Sequence, residues 1–250
     1  VAHLEAGLRS YDRQMPEEIN RVLTDSISDI LLTPSLDANE NLKKEGVSDK
    51  NIFFVGNAMI DSLRKYEKLS EKSDVLERLN LSQNDYGLIT LHRPSNVDNK
   101  QNFEKIITAF EEITKRIQLI FPIHPRSRKQ IERFSLMVRF DNMKNFKLIN
   151  PVGYLDFLKL EKYAKLVLTD SGGIQEETTV FGVPCLTIRE NTERPITISQ
   201  GTNQLVGTDT QKIIKTANSI LDGNCKKGTI PKFWDGKTAN RVMEVLKNFL

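Results

Sequence analysis

Short apolar runs alternate with helical patterns along nearly the whole chain, and this alternation is the strongest limit on its fold. ILLTP (30–34), NIFFVGN (51–57), YGLITLH (86–92), LIFPIH (119–124), FKLIN (146–150), LVLTD (166–170) and PCLTIR (184–189) each read as a buried strand. In NFEKIITAFEEITKR (102–116), Phe103, Ile106, Ile107, Phe110 and Ile113 recur at helical spacing. Pro125 opens RSRKQIERF, Tyr154 opens LDFLKLEKYAK, and a last helical pattern covers 238–250. Strand–helix alternation with short connections predicts parallel sheets in a doubly wound α/β fold. Such sheets bind ligands beyond the carboxyl ends of their strands. The polar stretch over 66–85 has the composition of a solvated helix and a connector, as expected beside a crossing between two domains.

The most informative strand end is DSGGIQEE, Asp170 to Glu177. LVLT before it reads as a strand, and IQEETTVFGVP after it as a short helix stopped by Gly182 and Pro184. A helix N-terminus offers free N–H groups and a positive dipole end, and glycine lets an anion approach them. Gly172 and Gly173, with the Ser171 hydroxyl, are therefore candidates for holding a diphosphate. Glu177 lies on the helix, where an ionised carboxylate can accept both hydrogen bonds of a ribose diol. Diphosphate plus ribose implies a nucleotide. The competing reading is an ordinary glycine-rich βα turn.

Other strand ends carry charged groups. Glu5 lies between Leu4 and Ala6, and a carboxylate so flanked is either paired or functional. Arg9 and Arg13 are its nearest candidate partners in sequence. Glu17 and Glu18 follow Pro16, where acidic residues complement the helix dipole. His92 and Arg93 end a strand before Pro94, and a histidine there can bind phosphate or move a proton. His124 stands in the same relation to Pro125. Arg194, in ENTERPITISQGT, can neutralise phosphate bidentately or pair with Glu190 or Glu193 on a surface loop.

Composition sets the outer limits. The 250 residues suffice for one large or two modest domains, with 28% charged and 38% hydrophobic side chains. A net charge of +3 without a Lys/Arg block argues against nucleic acid as partner. No apolar run approaches the roughly 20 residues of a membrane span. Cys185 and Cys225 have no metal or redox spacing and read as packing residues of a reduced, cytoplasmic protein.

Taken together, HLEAGLRS, PEE-NR, the GN-MID run at Gly56 to Asp61, LHRPSN, LTDSGGIQEE, TERP, LVG and DGKTANR occur in an order that resembles one family, the non-hydrolysing UDP-N-acetylglucosamine 2-epimerases. The resemblance runs from Ala2 to about Arg241. It implies two Rossmann-like domains of the glycosyltransferase-B type, with the nucleotide sugar in the cleft between them. On this pattern 1–57 is the later half of the first domain, 58–235 is the UDP-binding domain, and 236–250 is a helix returning to the first. The implied reaction interconverts UDP-GlcNAc and UDP-ManNAc for cell-envelope polysaccharide precursors. It uses no metal or redox cofactor, and the implied enzyme is a homodimer. By position in the motifs, Ser171, Gly172 and Gly173 resemble the diphosphate cradle and Glu177 the ribose clamp. Phe157 resembles the residue that packs on uracil, Arg194 and His92 match positions near the phosphates, and Glu5 and Glu17 match catalytic carboxylates.

The chain also departs from the pattern. Val1 aligns well inside it, so the family's glycine-rich first turn, its Arg and Lys substrate contacts and one catalytic Asp have no counterpart here. The first domain is then incomplete, with sheet edges and apolar faces uncovered, and the chain alone is expected to be inactive or nearly so. Ile196 stands where an acidic residue often follows the TERP proline. Two other functions fit the same fold: a glycosyltransferase using the same UDP site, which product analysis separates, and a non-catalytic UDP-sugar-binding module, which would bind without turnover.

Overall fold

The computed structural model describes residues 1–249 as two parallel sheets joined by helices. The first sheet is three-stranded, in the order β1 (Ala2–Leu4), β2 (Ile30–Thr33), β3 (Ile52–Phe54), with all pairs parallel. Its crossovers are α1 (Pro16–Ser26) and α2 (Leu36–Lys44). Pro16 at the first helical position starts α1, where its missing N–H costs nothing. β1 is an edge strand, and Leu4, Leu23 of α1 and Ile27 just past α1 are exposed.

From β3 the chain crosses into α3 (Ala58–Ser70), capped by the Asn57 side chain, and α4 (Val75–Arg78). The second half then runs β4 (Tyr86–Thr90), α5 (Pro94–Val97), α6 (Lys100–Ile113), β5 (Gln118–Pro122), α7 (Pro125–Arg133), α8 (Met137–Asp141) and β6 (Phe146–Ile149). It continues through α9 (Tyr154–Lys162), β7 (Leu166–Thr169), α10 (Gly172–Phe181), β8 (Cys185–Thr187), α11 (Pro195–Ser199), β9 (Asn203–Leu205) and α12 (Thr210–Leu221). The sheet order is β6-β5-β4-β7-β8-β9, all parallel. The chain builds outward from β4 through β5 and β6, then returns to the other side of β4 with β7. The strand order therefore reverses between β4 and β7, and a crevice opens there at their carboxyl ends.

Both faces of this sheet are covered. Along β4, Tyr86 and Leu88 join one buried cluster, while Ile89 belongs to the other, larger one with Phe103, Phe110 and Phe121. The alternation is the period of two that a strand imposes on its side chains. β9 was not legible in the sequence, because three residues, NQL, show no apolar run, and only pairing with β8 makes them a strand. Over 66–85, expected as a solvated helix and a connector, the start completes α3, but Val75 and Leu76 of the short α4 are buried under the sheet.

Trp234 and the last helix tie the two halves together. Trp234 is buried with Ile60, Leu63, Leu158, Val180 and Ile196, and its indole N–H donates to the Pro34 carbonyl at 3.0 Å. Beside it, Gly56 adopts φ +94, and a Cβ there would sit 2.2 Å from the Phe233 carbonyl oxygen, so only glycine fits. The last helix, α13 (Thr238–Lys247), lays Val242, Val245 and Leu246 on Ile30, Leu32 and Val55 of the first sheet. Asp61 of α3 accepts from the backbone N–H of Thr238 and Ala239 at 3.0 and 2.8 Å, which anchors the start of α13. Among the described residues, no helix is long and apolar enough to cross a membrane. Cys185 is buried and Cys225 half-buried, and both are free thiols.

Candidate active site

The crevice between β4 and β7 is organised by one carboxylate. Asp170, just past β7, is completely buried and accepts from the backbone N–H groups of His92 (3.0 Å) and Arg93 (2.8 Å) and from the Asn96 amide (3.1 Å). It thereby clamps the end of β4 to the end of β7. His92 Nδ1 lies 3.1 Å from Asp170 Oδ1. The two approach closely without the geometry of a hydrogen bond. The His124 ring lies 5.1 Å from that of His92. Burial, then the neighbouring His92 and Arg126, lower its pKa, and its Nδ1 accepts from the Arg126 N–H at the start of α7.

Next to Asp170 the chain turns into α10. Ser171 is the extended N-cap residue, and its hydroxyl makes no capping bond. The first-turn N–H groups and the dipole of a ten-residue helix open onto the crevice. A Cβ on Gly172 would lie 2.6 Å from Glu193 Oε1, whereas one on Gly173 would meet only Met59 Cε at 3.8 Å. Glycine at 172 thus makes room for Glu193, and glycine at 173 leaves its backbone open to approach.

Arginines surround Glu193. Arg189 reaches it at 2.8 Å and Arg93 at 3.8 Å. Burial alone would raise the Glu193 carboxyl, but Arg189 and Arg194 outweigh it and pull the pKa down to about 2. Arg194 is half-buried, with Nε 2.6 Å from Glu176 Oε1 and Nη2 3.5 Å from Glu5 Oε2. The Glu176 contact is a close ion pair whose N–H is not aimed at the oxygen, so Nε forms no hydrogen bond. Burial outweighs Arg194 at Glu176 and pushes its pKa up to about 7, with Glu5 and Glu193 adding to the rise. Arg93 Nε, Arg189 Nη1 and Arg194 Nε and Nη1 are all buried without a hydrogen-bond acceptor among the described residues. Buried donors are rarely left so, and guanidinium N–H groups pair best with phosphate or carboxylate oxygens.

The first half contributes carboxylates. Glu5 follows β1 with φ +70, a left-handed conformation that costs a non-glycine residue on the order of 1 kcal/mol or more and tends to occur at functional sites. Its partner is Arg194 across the crevice, neither Arg9 nor Arg13. Arg9 is buried in pairs with Asp25 (2.7 Å) and Glu45 (2.6 Å), and Arg13 is exposed. Glu17 and Glu18 diverge. Glu18 turns inward and accepts from the Ser10 and Tyr11 N–H groups, the Ser10 hydroxyl and Arg21, holding the loop before α1. Glu17 turns outward and meets Arg93 at 3.2 Å. Each of the two candidate catalytic carboxylates therefore faces an arginine from the other half. Of the two loop partners expected for Arg194, Glu190 instead accepts from Thr208, and Glu193 makes its close ion pair with Arg189 while Arg194 acts on it only by charge.

Glu177 lies on α10, 4% exposed, and accepts from the Tyr154 hydroxyl at 3.0 Å. Phe157, on α9, is half-buried against the cluster that contains Tyr86, Leu88 and Ile174. Sequence reasoning assigns roles to His92 and Ser171 but none to their neighbours Arg93 and Asp170, nor to Arg189. The available signal is shared by all three: a charged residue just past the end of a parallel strand.

Comparison with known proteins agrees with this arrangement. The sequence profile of the UDP-N-acetylglucosamine 2-epimerase family matches residues 1–247. The chain belongs to the UDP-N-acetylglucosamine 2-epimerase family. A UDP-N-acetylglucosamine 2-epimerase of Methanocaldococcus jannaschii is 46% identical over 98% of this chain and 68% of its own length. A UDP-2,3-diacetamido-2,3-dideoxy-D-glucuronate 2-epimerase of Pseudomonas aeruginosa is 39% identical over 98% of this chain and 67% of its own. The crystal structure of the M. jannaschii UDP-GlcNAc 2-epimerase in complex with UDP-GlcNAc and UDP superposes with a TM-score of 0.91, at 47% identity, over 99% of this chain and 69% of that one. The fold is thus the α/β, glycosyltransferase-B type of the UDP-GlcNAc 2-epimerases. Of the segments that carry the resemblance, HLEAGLRS and PEE-NR belong to the three-stranded half, and LHRPSN, DSGGIQEE and TERP follow strands of the six-stranded half.

Proposed function

We propose that this chain interconverts UDP-N-acetylglucosamine and UDP-N-acetylmannosamine. The observation that carries the reading is the group of buried guanidinium donors without acceptors on Arg93, Arg189 and Arg194, beside the open start of α10. That group matches a diphosphate in charge and in donor geometry. Ser171, Gly172 and Gly173 then cradle the diphosphate, Arg194 and His92 contact it, Glu177 takes the ribose hydroxyls, and Phe157 packs on uracil.

The chemistry explains the carboxylates. The C2 proton of the sugar is not next to a carbonyl, so simple deprotonation is too costly. Anti elimination avoids this. A base takes the C2 proton, the C2–H electron pair forms the C1=C2 bond, and the C1–O bond breaks to release UDP. UDP then adds back to the glycal while C2 is protonated on the other face. The route is redox-neutral and consumes nothing. Glu5 and Glu17 handle the proton and the positive charge developing near C1, and the diphosphate must stay held or it is lost before its return. Glu5 and Glu17 already face Arg194 and Arg93, which is where sugar and diphosphate meet. The same reading makes the working form a homodimer and its place the cytoplasm, where nucleotide sugars are made.

The test follows anomeric protons by NMR after UDP-GlcNAc is added to this chain, alone and fused to the part of the M. jannaschii relative that it does not span. Appearance of UDP-ManNAc supports the proposal. Binding without conversion in both forms overturns it in favour of a binding module, and UDP release that needs an acceptor sugar overturns it in favour of a transferase.

A further inference from the structure

Glu161 lies on α9, completely buried, and neither of its carboxyl oxygens has a hydrogen-bond partner among the described residues. Its helix packs on α10, and the charged group that faces it is a second carboxyl, Glu177. The other titratable groups facing the pair are Tyr154 from the start of α9, Tyr66 of α3, packed edge-on to Tyr154 at 5.9 Å, and Cys185 of β8. None of them is a cation. Two ionised carboxylates cannot face each other in such a place, and the arrangement is relieved when one keeps its proton and donates it to the other.

We propose that Glu161 is a positioning residue for the nucleotide site: as a neutral acid it donates a hydrogen bond to the Glu177 carboxylate and, with Tyr154, fixes that carboxylate for a ribose diol. This rests on the reading of Glu177 as the ribose-binding residue. Burial, then the charge of Glu177, pushes the Glu161 carboxyl well above the usual carboxylate range. Burial raises Glu177 too, while hydrogen bonds from Glu161 and Tyr154 oppose the rise. Glu177 is therefore the member that ionises first, with two donors holding it and lone pairs left for two ribose hydroxyls. As pH rises through the titration of the pair, the shared proton is lost, the carboxylates repel, and nucleotide affinity falls.

The experiment is calorimetric titration of UDP in a pH series from about pH 6 to about pH 9, all of it above the usual carboxylate range. It compares the wild-type chain with E161Q, E161L and E177A. The side-chain amide of E161Q donates at every pH, so the ratio of wild-type to E161Q Kd is expected to grow as pH rises. Titrations of UDP itself are common to both and cancel in that ratio. E161L, which lacks the donor, is expected to bind UDP about tenfold more weakly at the acid end. A pH-independent ratio, or E161L affinity equal to wild type, overturns the inference. E177A affinity equal to wild type overturns the ribose reading itself, an outcome distinct from a flat ratio with E177A weakened.

Discussion

Arg194 Nη2 lies 3.5 Å from Glu5 Oε2, across 189 positions of sequence and across the crevice between the two sheets. The pair joins a candidate phosphate ligand to a candidate catalytic carboxylate, and Glu5 meets it from a left-handed backbone conformation.

The first consequence concerns that guanidinium. Replacing Arg194 by Met removes a charged donor to the diphosphate and leaves Glu176 buried without its cation. UDP affinity is expected to fall about 10- to 100-fold, the equivalent of about 1.5–3 kcal/mol for a hydrogen bond to a charged group. Calorimetric titration of UDP measures it, and unchanged affinity would remove Arg194 from the site.

Glu5→Gln keeps the size of the side chain and its contact with Arg194 but removes the charge and the basicity. Turnover of UDP-GlcNAc is expected to drop by about 10²- to 10⁴-fold while UDP binding survives. NMR rates at saturating substrate, taken on the chain fused to the part of the M. jannaschii relative that it does not span, check the first part and titration the second. Full activity in E5Q would show that the strained position of Glu5 serves packing alone.

Glu176 makes stability depend on pH. Its carboxyl titrates near 4.5 when unfolded and near 7 when folded. Its contribution to stability is full below the unfolded value and is lost as pH rises through the folded one. The shift amounts to about 3 kcal/mol, as an order of magnitude. Urea unfolding at about pH 5 and about pH 8 is expected to show wild type losing stability relative to E176Q as pH rises. Parallel pH dependence in the two proteins would contradict the assignment.

Asp170→Asn tests the clamp between β4 and β7. The carboxylate accepts two backbone N–H groups and faces His92 Nδ1, and an amide oxygen cannot replace both of its oxygens. Stability is expected to fall by about 1–3 kcal/mol, the cost of leaving buried donors unpaired. Turnover is expected to fall as His92 loses the carboxylate that faces it. Both are read from the same preparation, by denaturation and by rate. An unchanged rate would limit Asp170 to a structural role.

What could be read along the chain was local. The helices starting at Pro16, Pro125 and Tyr154 begin where expected, and α10 ends at Gly182 in the left-handed conformation that a glycine stop demands. The larger strands were visible because each is an apolar run inside its own four or five residues. These features depend on neighbours within a turn or two, so sequence alone determines them. Partners were not visible. Glu5 pairs with Arg194 and not with Arg9 or Arg13, and of two adjacent glutamates Glu18 supports a loop while Glu17 reaches Arg93. β9 exists only because β8 lies beside it, and Glu161 and Glu177 face each other only because α9 packs on α10. Sequence distance carries no information about these pairs. A charge finds its partner, or a carboxyl keeps its proton, according to what packing removes from water, and that is decided when the sheets and helices close on one another.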